Sequence, residues 1–233
     1  MADVAQNWIE ALPQHRLIAE FSVWSADLVR LADDLARIEA HADILHIDVA
    51  DGHFAPALLF FPDLAAAVRQ VSKRPIHVHL MVNDTVLLSQ IEQFADAGAD
   101  LISLHAENAA VAGAALDLLD RRGVAAGMVL RVETPVEALR PYLPRLRFVT
   151  LLGTAIGVKG QGLDPAAGDR LRQAQAMIRE SGAKRRIVLA ADGGIREHTV
   201  PLLRQSGAET VVLGSLAFNA PSLRERMAWL AAL

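Results

Sequence analysis

Short runs rich in Val, Ile and Leu recur along the whole chain, and stretches with helical spacing of apolar residues separate them. A brief, almost continuously apolar run is typical of a strand that is buried on both faces of a parallel sheet. We predict eight such strands, over residues 17–25, 42–49, 76–82, 99–106, 125–132, 147–153, 186–194 and 209–215.

The segments between these runs have the spacing of amphipathic helices. In the first of them, apolar residues fall on one helical face and charges on the other: Leu28, Leu31, Leu35 and Ile38. Four glycines stand just after a predicted helix and just before the next strand. We expect each of them to end its helix in the left-handed conformation: Gly98, Gly123, Gly182 and Gly207.

The repeat of strand and helix sets the fold class. The mean repeat is roughly 27 residues, which is the size of one βα unit. Eight units with parallel strands favour an α/β fold that closes into a single (β/α)8 TIM barrel. No linker interrupts the series, so we predict one barrel domain over 17–233. Residues 1–16 would form a short N-terminal extension, with a short helix over 8–12 that covers the bottom of the barrel.

Composition narrows the class of protein. The chain has 233 residues, no cysteine and a formal net charge of −4. The lack of cysteine excludes disulfides, thiolate metal sites and a cysteine nucleophile. The mild acidity argues against a nucleic-acid partner. No apolar run approaches the length of a membrane span, and the first ten residues lack a basic region, so we expect a cytoplasmic protein without a membrane partner.

Candidate chemistry collects at the carboxyl ends of the predicted strands, where barrels of this kind place their active sites. His46 and Asp48 are two apart on strand two, and His77 and His79 are two apart on strand three, so each pair shares a face. Asp192 ends strand seven. Together these residues predict a divalent-metal site with imidazole and carboxylate ligands, which suits Zn, Fe, Mn or Co.

A second signal follows strands seven and eight. Gly193 and Gly194 come directly after one strand, and Gly214 and Ser215 after the other. In many barrels these two loops bind phosphate through backbone N–H groups, and glycine lets the backbone approach the anion closely. We therefore expect a phosphate group to bind here.

Several segments resemble the ribulose-phosphate 3-epimerase family. They occur in the family's order over roughly residues 17 to 220, and the run H-I-D-V-x-D-G-H-F followed by H-L-M is highly specific. The similar segments are FSVWSAD (21–27), LHIDVADGHF (45–54), VHLMV (78–82), FADAGADLISLHAE (94–107), ADGGI (191–195) and LGSLAF (213–218).

The resemblance implies a role for each matching position. It implies one divalent metal ion held by His46, Asp48, His79 and Asp192, with Asp48 and Asp192 also acting as the acid/base pair. The implied substrate is a phosphorylated ketose, and the implied assembly is a homo-oligomer, either dimer or hexamer. The implied substrate-binding positions are Ser25, His79, Met81, Gly160, Gly193, Gly194, Gly214 and Ser215.

The chain also departs from the family pattern. Ala50 replaces a methionine, His77 replaces the usual aspartate, and residues 56–61 lose two polar side chains and a glycine. In the strand-six loop, over 156–161, a proline is gone and Lys159 has replaced a glycine. These changes indicate an altered pocket wall around the retained ligands. For Lys159, contact with phosphate, closure of the loop and a solvated position all stay open. For His77, orientation of a ligand and simple core packing stay open.

The resemblance implies a metal-dependent 3-epimerase that interconverts D-ribulose 5-phosphate and D-xylulose 5-phosphate. Two carboxylates would move the C3 proton through a 2,3-enediolate. One alternative is a different ketose phosphate such as D-allulose 6-phosphate, and another is a non-catalytic sugar-phosphate-binding barrel. Related lyases and decarboxylases usually carry a lysine near the D-x-x-D-G motif, where this chain offers His46.

Overall fold

The computed structural model describes residues 7–233 as eight parallel strands that close into a barrel in sequence order. All eight predicted strands are present, which confirms the (β/α)8 TIM-barrel prediction. The strands are β1 (Ile18–Ser22), β2 (Ile44–Ala50), β3 (Ile76–Met81), β4 (Leu101–His105), β5 (Ala125–Leu130), β6 (Phe148–Leu152), β7 (Val188–Asp192) and β8 (Thr210–Leu213).

The barrel closes because the first strand pairs in parallel with the last. Ile18 is in register with Thr210, and Phe21 with Leu213. Almost every strand residue is buried, since one face of each strand points into the barrel and the other packs against the surrounding helices. This burial on both faces explains why the strands read as continuous apolar runs rather than as an alternating pattern.

The helices surround the strands. They are α1 (Asn7–Glu10), α2 (Leu31–Ile38), α3 (Pro62–Val71), α4 (Asp84–Asp96), α5 (Ala112–Arg122), α6 (Ala167–Glu180), α7 (Val200–Gln205), α8 (Ser215–Phe218) and α9 (Leu223–Ala231). The four glycines expected after helices all have positive φ, between 64° and 105°: Gly98, Gly123, Gly182 and Gly207. None of the helices within residues 7–233 is long and apolar enough to cross a membrane.

Two details differ from the predicted helices. Leu28 lies before α2 rather than on its apolar face, and its side chain is half exposed. Between β5 and β6 the chain forms two short 3-10 turns, Val136–Leu139 and Leu143–Arg145, instead of an α-helix. Three prolines within 135–144 remove backbone donors from that stretch, which explains the absence of a longer helix there.

A layer of apolar side chains fills the barrel at the amino ends of its strands. Phe148, Ile18 and Val188 contribute to this layer from inside, and Ile9 of α1 packs onto it from below with no exposed surface. A short helix is therefore present at Asn7–Glu10, where one was expected over 8–12, and it covers the bottom of the barrel. Residues 1–6 of the predicted extension lie outside the described residues. The division at residue 16 stays a prediction.

Candidate metal centre and active site

The inward positions of the first four strands are polar above the apolar layer. Parallel register places His46 beside His77, and Asp48 beside His79, on neighbouring strands β2 and β3. The intervening residues of β2, such as Ile47, point outward and pack in the main core. Alternation with a period of two therefore carries these four side chains into the barrel, as their spacing predicts.

Four of the predicted residues meet at one point. His46 Nε2 lies 3.1 Å from Asp48 Oδ1, and His79 Nδ1 lies 3.3 Å from the same oxygen. Asp192 Oδ2 from β7 lies 3.9 Å from His79 Nδ1, and one ligand atom from each of the four residues falls within 4.8 Å of the others. Ligands about 2.1 Å from a tetrahedral ion are roughly 3.4 Å apart, so this group fits a metal.

A second group of three side chains lies deeper and does not fit a metal as well. Glu20 Oε1 is 2.7 Å from His46 Nδ1 and 2.5 Å from His77 Nδ1. These separations are shorter than the roughly 3.4 Å between two ligands of a tetrahedral ion, and they match one ordinary and one short hydrogen bond to a carboxylate. His77 is thus a hydrogen-bond partner of Glu20, and it does not reach the group formed by His46, Asp48, His79 and Asp192.

A hydrogen bond on the far side of each ring turns the other ring nitrogen toward Asp48. Burial acts to lower the pKa of His46 in the metal-free protein, but Asp48 and Glu20 raise it well above its usual value, so a metal would displace the proton from His46 Nε2. Because an ionised carboxylate only accepts, His46 Nδ1–H donates to Glu20 and His46 Nε2 faces Asp48. His79 Nε2 lies 2.8 Å from His105 Nε2, and His105 Nδ1 lies 3.0 Å from Glu107 Oε2. The hydrogen bonds from His79 through His105 to Glu107 leave His79 Nδ1 to face Asp48. Partners of this kind fix the tautomer and orientation of a metal-binding histidine.

The pKa values of His105 and Glu107 agree with this arrangement of protons. Burial lowers the pKa of His105 to about 4, so the ring is neutral at neutral pH. Burial acts to raise the pKa of Glu107, but hydrogen bonds from His105 and Thr134 outweigh it and lower that pKa to about 2. A neutral His105 can therefore accept from His79 and donate to an ionised Glu107.

The two aspartates at the centre have pKa values shifted in opposite directions. Burial would raise the pKa of Asp48, but the His46 imidazole and hydrogen bonds from His46 and His79 hold it well below its usual range. Burial, only partly offset by His46 and reinforced by the Asp48 charge, raises the pKa of Asp192 to about 6. One carboxyl group is thus held ionised, while its neighbour takes up a proton at a higher pH than an ordinary aspartate, near pH 6.

A cavity of about 440 Å³ opens directly above Asp48, His79 and Asp192. Its volume is in the range of small-molecule sites. Every residue predicted to bind substrate lies on its wall: Ser25, His79, Met81, Gly160, Gly193, Gly194, Gly214 and Ser215. Their individual roles stay predictions.

Gly193 and Gly194 allow the loops after β6 and β7 to meet at the cavity. Both have positive φ, at 83° and 70°. A Cβ at Gly194 would lie 2.8 Å from the backbone of Leu163, closer than packed atoms allow. Glycine is therefore required here for the backbone to approach the site.

Several residues around the site were not among those predicted. Ser22 Oγ donates to Asp48 Oδ2 over 3.0 Å. Trp24 and Arg196 also line the cavity. Lys159, whose role the sequence left open, lies on the same wall: its ammonium is 4.3 Å from the centre of the Trp24 ring and donates to the Trp24 carbonyl oxygen over 2.7 Å. The charged Glu20 within an apolar strand was a signal in the sequence that this position is unusual, although it did not identify the partners of Glu20.

One glycine makes room for the deepest of these bonds. His77 Nε2 lies 2.6 Å from Ser103 Oγ on β4. Gly127 on β5 is in register with Ser103, and a Cβ at Gly127 would lie 1.9 Å from that hydroxyl oxygen. The Ser103 side chain can occupy its position only because residue 127 has no side chain.

Two solved structures illustrate the same architecture. Orotidine 5'-phosphate decarboxylase from Pyrococcus horikoshii superposes with a TM-score of 0.64 over 92% of this chain and 97% of its own, at 13% identity. A 3-hexulose-6-phosphate synthase gives a TM-score of 0.62 over 93% and 96% of the two chains, at 18% identity. At such low identity these likenesses show the fold alone.

Proteins with similar sequences identify the family, which the structural likenesses do not. The ribulose-phosphate 3-epimerase of Bacillus subtilis is 35% identical over 85% of this chain and 90% of its own length. The ribulose-phosphate 3-epimerase of Escherichia coli K12 is 34% identical over 88% of this chain and 90% of its own length. Ribulose-phosphate 3-epimerase 1 of Cupriavidus necator is 37% identical over 86% of this chain and 83% of its own length. Residues 18–218 match the sequence profile of the Ribulose-phosphate 3 epimerase family. With this match and these relatives, the chain belongs to the Ribulose-phosphate 3 epimerase family.

Proposed function

We propose that the chain is a metal-dependent isomerase that inverts C3 of a ketose phosphate, interconverting D-ribulose 5-phosphate and D-xylulose 5-phosphate. The observation that carries this proposal is the pair of carboxyl groups, Asp48 and Asp192, at the floor of one cavity with pKa values shifted in opposite directions. The names of the similar enzymes support the choice of substrate.

Inversion next to a ketone needs one acid/base group on each face of the reacting carbon. Asp48 on β2 and Asp192 on β7 approach the cavity floor from different sides, since β8 and β1 lie between their strands. The ionised Asp48 would remove the C3 proton, and the protonated Asp192 would return one on the other face. The reverse reaction would exchange these roles, because each product state leaves the opposite carboxyl group charged.

His46, Asp48, His79 and Asp192 would hold one divalent ion of the Zn, Fe, Mn or Co class. Bound there, the ion would supply Lewis-acid stabilisation of the negative charge that develops on the substrate oxygens. Ser22 would keep the second oxygen of Asp48 oriented through its 3.0 Å hydrogen bond. The ring orientations of His46 and His79 would be fixed by Glu20 and His105.

The remaining wall residues would orient the substrate. Backbone N–H groups near Gly193, Gly194, Gly214 and Ser215 would bind the phosphate. Ser25, Met81 and His79 would contact the sugar near its reacting carbons, and Gly160 would close the strand-six loop.

We further propose that the protein is cytoplasmic and a dimer or hexamer without a nucleic-acid partner. Light scattering in solution measures the number of subunits.

A different ketose phosphate, such as D-allulose 6-phosphate, is the second candidate substrate. The observation that favours it is the changed wall of the cavity, where Trp24 and Lys159 stand over the site. A longer sugar would use the same proton transfer at C3, so only the fit along the wall would distinguish the two substrates.

Deuterium incorporation tests the reaction and the substrate together. The protein is loaded with Zn, Fe, Mn or Co and incubated in D2O with a panel of five- and six-carbon ketose phosphates. We expect exchange at C3, with epimer formation, for at least one of them, and the largest kcat/KM identifies the preferred sugar. Binding of a ketose phosphate without any C3 exchange would contradict an epimerase and favour a non-catalytic binding barrel.

A further inference from the structure

Below the metal group lies a buried set of hydrogen bonds that we call the Glu20 array, formed by Glu20, His46, His77 and Ser103. None of these four side chains has any exposed surface. One oxygen of Glu20 contacts both imidazoles, at 2.7 Å to His46 and 2.5 Å to His77. His77 extends the array to the Ser103 hydroxyl at 2.6 Å.

The protons in this array have one consistent arrangement. Glu20 Oε1 accepts from the Nδ1–H of both rings, since a carboxylate has no proton to give. The Nε2 atom of His77 then accepts the Ser103 hydroxyl proton. The Nε2 atom of His46 is correspondingly directed away from Glu20, toward Asp48 and the position of the metal.

Burying a carboxylate without an arginine or lysine beside it is expensive, and an apolar residue would fill the same space more favourably. Phe148 and Ile18 belong to the adjacent layer of this barrel, which is mostly apolar. The presence of a charge at position 20 therefore points to a task that packing alone does not require. Among the described residues, Glu20 Oε1 contacts only His46 and His77, and the Thr210 hydroxyl donates to Oε2 over a longer distance of 3.5 Å.

We propose that Glu20, itself held in place by His77, is a positioning residue that fixes His46 with Nε2 toward the metal and makes that nitrogen a stronger ligand. The inference rests on the proposed metal site, because it concerns how one of the four ligands is oriented. His77 acts at one remove, through Glu20, and Ser103 keeps the His77 ring in the orientation that this requires.

Metal affinity measures the role directly, apart from catalysis. Co²⁺ is titrated into each protein in competition with a chelator, and the visible spectrum reports how the ion is coordinated. Glu20→Gln keeps the side-chain volume but removes the charge, so we expect it to weaken Co²⁺ binding roughly 10- to 100-fold. His77→Asn should weaken binding less, and the double variant should resemble Glu20→Gln alone, because His77 acts through Glu20.

Thr150→Val is the matched control. Thr150 is a buried inward residue of β6 whose hydroxyl has no hydrogen-bond partner among the described residues, and valine has the same shape. We expect its Co²⁺ affinity to stay within about twofold of the wild type. Unchanged affinity in Glu20→Gln, or additive losses in the double variant, would overturn the assigned role.

A measurement on the unmutated protein guards against variants that do not fold. Nitrogen-15 NMR of the histidine rings should show His46 protonated at Nδ1 and metallated at Nε2 when Zn²⁺ is added. Metallation of His46 at Nδ1 would contradict the positioning role. A wild-type chain that binds none of the divalent ions would instead contradict the proposed metal site itself, so the two failures are distinguishable.

Discussion

At the scale of single residues, the opposed shifts of Asp48 and Asp192 are the most informative property of the site. Both side chains are acids of the same type in the same cavity, yet their surroundings favour different charge states. Asp48 has two histidines and Ser22 around its oxygens. For Asp192, loss of solvent and the negative charge of Asp48 outweigh the nearby histidines. Such a division lets one residue type serve as both acid and base.

Asp192→Asn should abolish exchange of the C3 proton while leaving the barrel folded. Asparagine has nearly the same shape but can neither donate an acidic proton nor bind a metal as a carboxylate. We expect a loss in kcat of at least about 100-fold, measured by deuterium uptake, with an unchanged circular dichroism spectrum. Asp63→Asn, at an exposed position on α3, is the matched control. Native turnover in Asp192→Asn would remove Asp192 from the mechanism.

The raised pKa of Asp192 also predicts a pH dependence of stability in the metal-free protein. The pKa rises from 3.8 to about 6, so the folded state binds this proton more tightly than the unfolded chain does. Its stabilisation is complete below pH 4 and is lost as the pH rises through 6. The free energy of unfolding of the wild type should therefore fall by about 2–3 kcal/mol relative to Asp192→Asn over this interval.

Urea denaturation of the chelated wild type and Asp192→Asn at pH 4, 5, 6 and 7 measures that difference. Parallel pH profiles for the two proteins would show that Asp192 has an ordinary pKa. The control is again Asp63→Asn, whose profile should follow the wild type.

The site residues that could be predicted from the sequence are those whose spacing along a strand shows which face they share. His46, Asp48, His77 and His79 each follow from alternation on a strand that is recognisable from its apolar neighbours. Glu20 obeys the same alternation, but a lone acid on β1 has no partner nearby in the sequence. Its partners come from other strands, 26 and 57 residues further along the chain, so only the register of the barrel reveals the contact.

At the scale of elements, the loop between β6 and α6 differs most in character from the rest of the barrel. Lys159 reaches across the cavity to Trp24 on the turn after β1, so a single lysine joins two loops on different sides of the mouth. Within residues 7–233 the Lys159 ammonium forms no ion pair, and this leaves its charge available to an anionic substrate.

Lys159→Met should raise KM for the ketose phosphate roughly 3- to 10-fold and change kcat much less. Methionine keeps much of the length but removes the charge and the contact with the Trp24 ring. Steady-state kinetics at saturating metal measure both constants. Lys184→Met, an exposed lysine on the connection between α6 and β7, controls for the loss of one surface charge. Equal KM values in the two variants would place Lys159 outside the substrate site.

The strands and most helices were predictable, because continuous apolar runs and glycines at helix ends are local signals in the sequence. The connection between β5 and β6 was not, since the repeat alone suggests an α-helix there. Prolines in that segment favour short turns, and the strands on either side still pair in register at Gly127 and Phe148. A closed barrel thus tolerates the loss of one covering helix, whereas the loss of a strand would open it.

At the scale of the whole molecule, the barrel is sealed below and open above. α1 covers the apolar bottom layer through Ile9, and Arg186 bonds to the backbone carbonyl oxygens of Ile9, Leu12 and Pro13 that follow or end this helix. The N-terminal segment over 7–13 is therefore bound to the barrel by both apolar contact and hydrogen bonds.

Ile9→Ala should lower the free energy of unfolding by about 2–3 kcal/mol, because it leaves a void against the bottom layer. Val71→Ala, at an exposed position on α3, should change it by no more than about 0.5 kcal/mol. Denaturant unfolding measures both. An Ile9→Ala protein as stable as Val71→Ala would mean that α1 is an appendage rather than part of the folded unit.

Metal removal should affect the molecule as a whole. An ion that binds only the folded chain stabilises it by about 4 kcal/mol when present at 1,000 times its dissociation constant. For a domain of this size a chelator should then lower Tm by roughly 10 °C and stop turnover, and added Zn or Co should restore both. Thermal denaturation with and without chelator tests this. Unchanged Tm and unchanged turnover would contradict a metal site.

The close approach of Gly127 to Ser103 limits how this sequence can drift. Residue 127 has no reactive group and lies on β5, two strands away from the nearest proposed ligand on β3. Any side chain gained there would displace the Ser103 hydroxyl, and the disturbance would pass through His77 and Glu20 to His46. Residue 127 can thus gain a side chain only if the Ser103 hydroxyl is lost, and a mutation that looks like ordinary packing damage would weaken the proposed metal site.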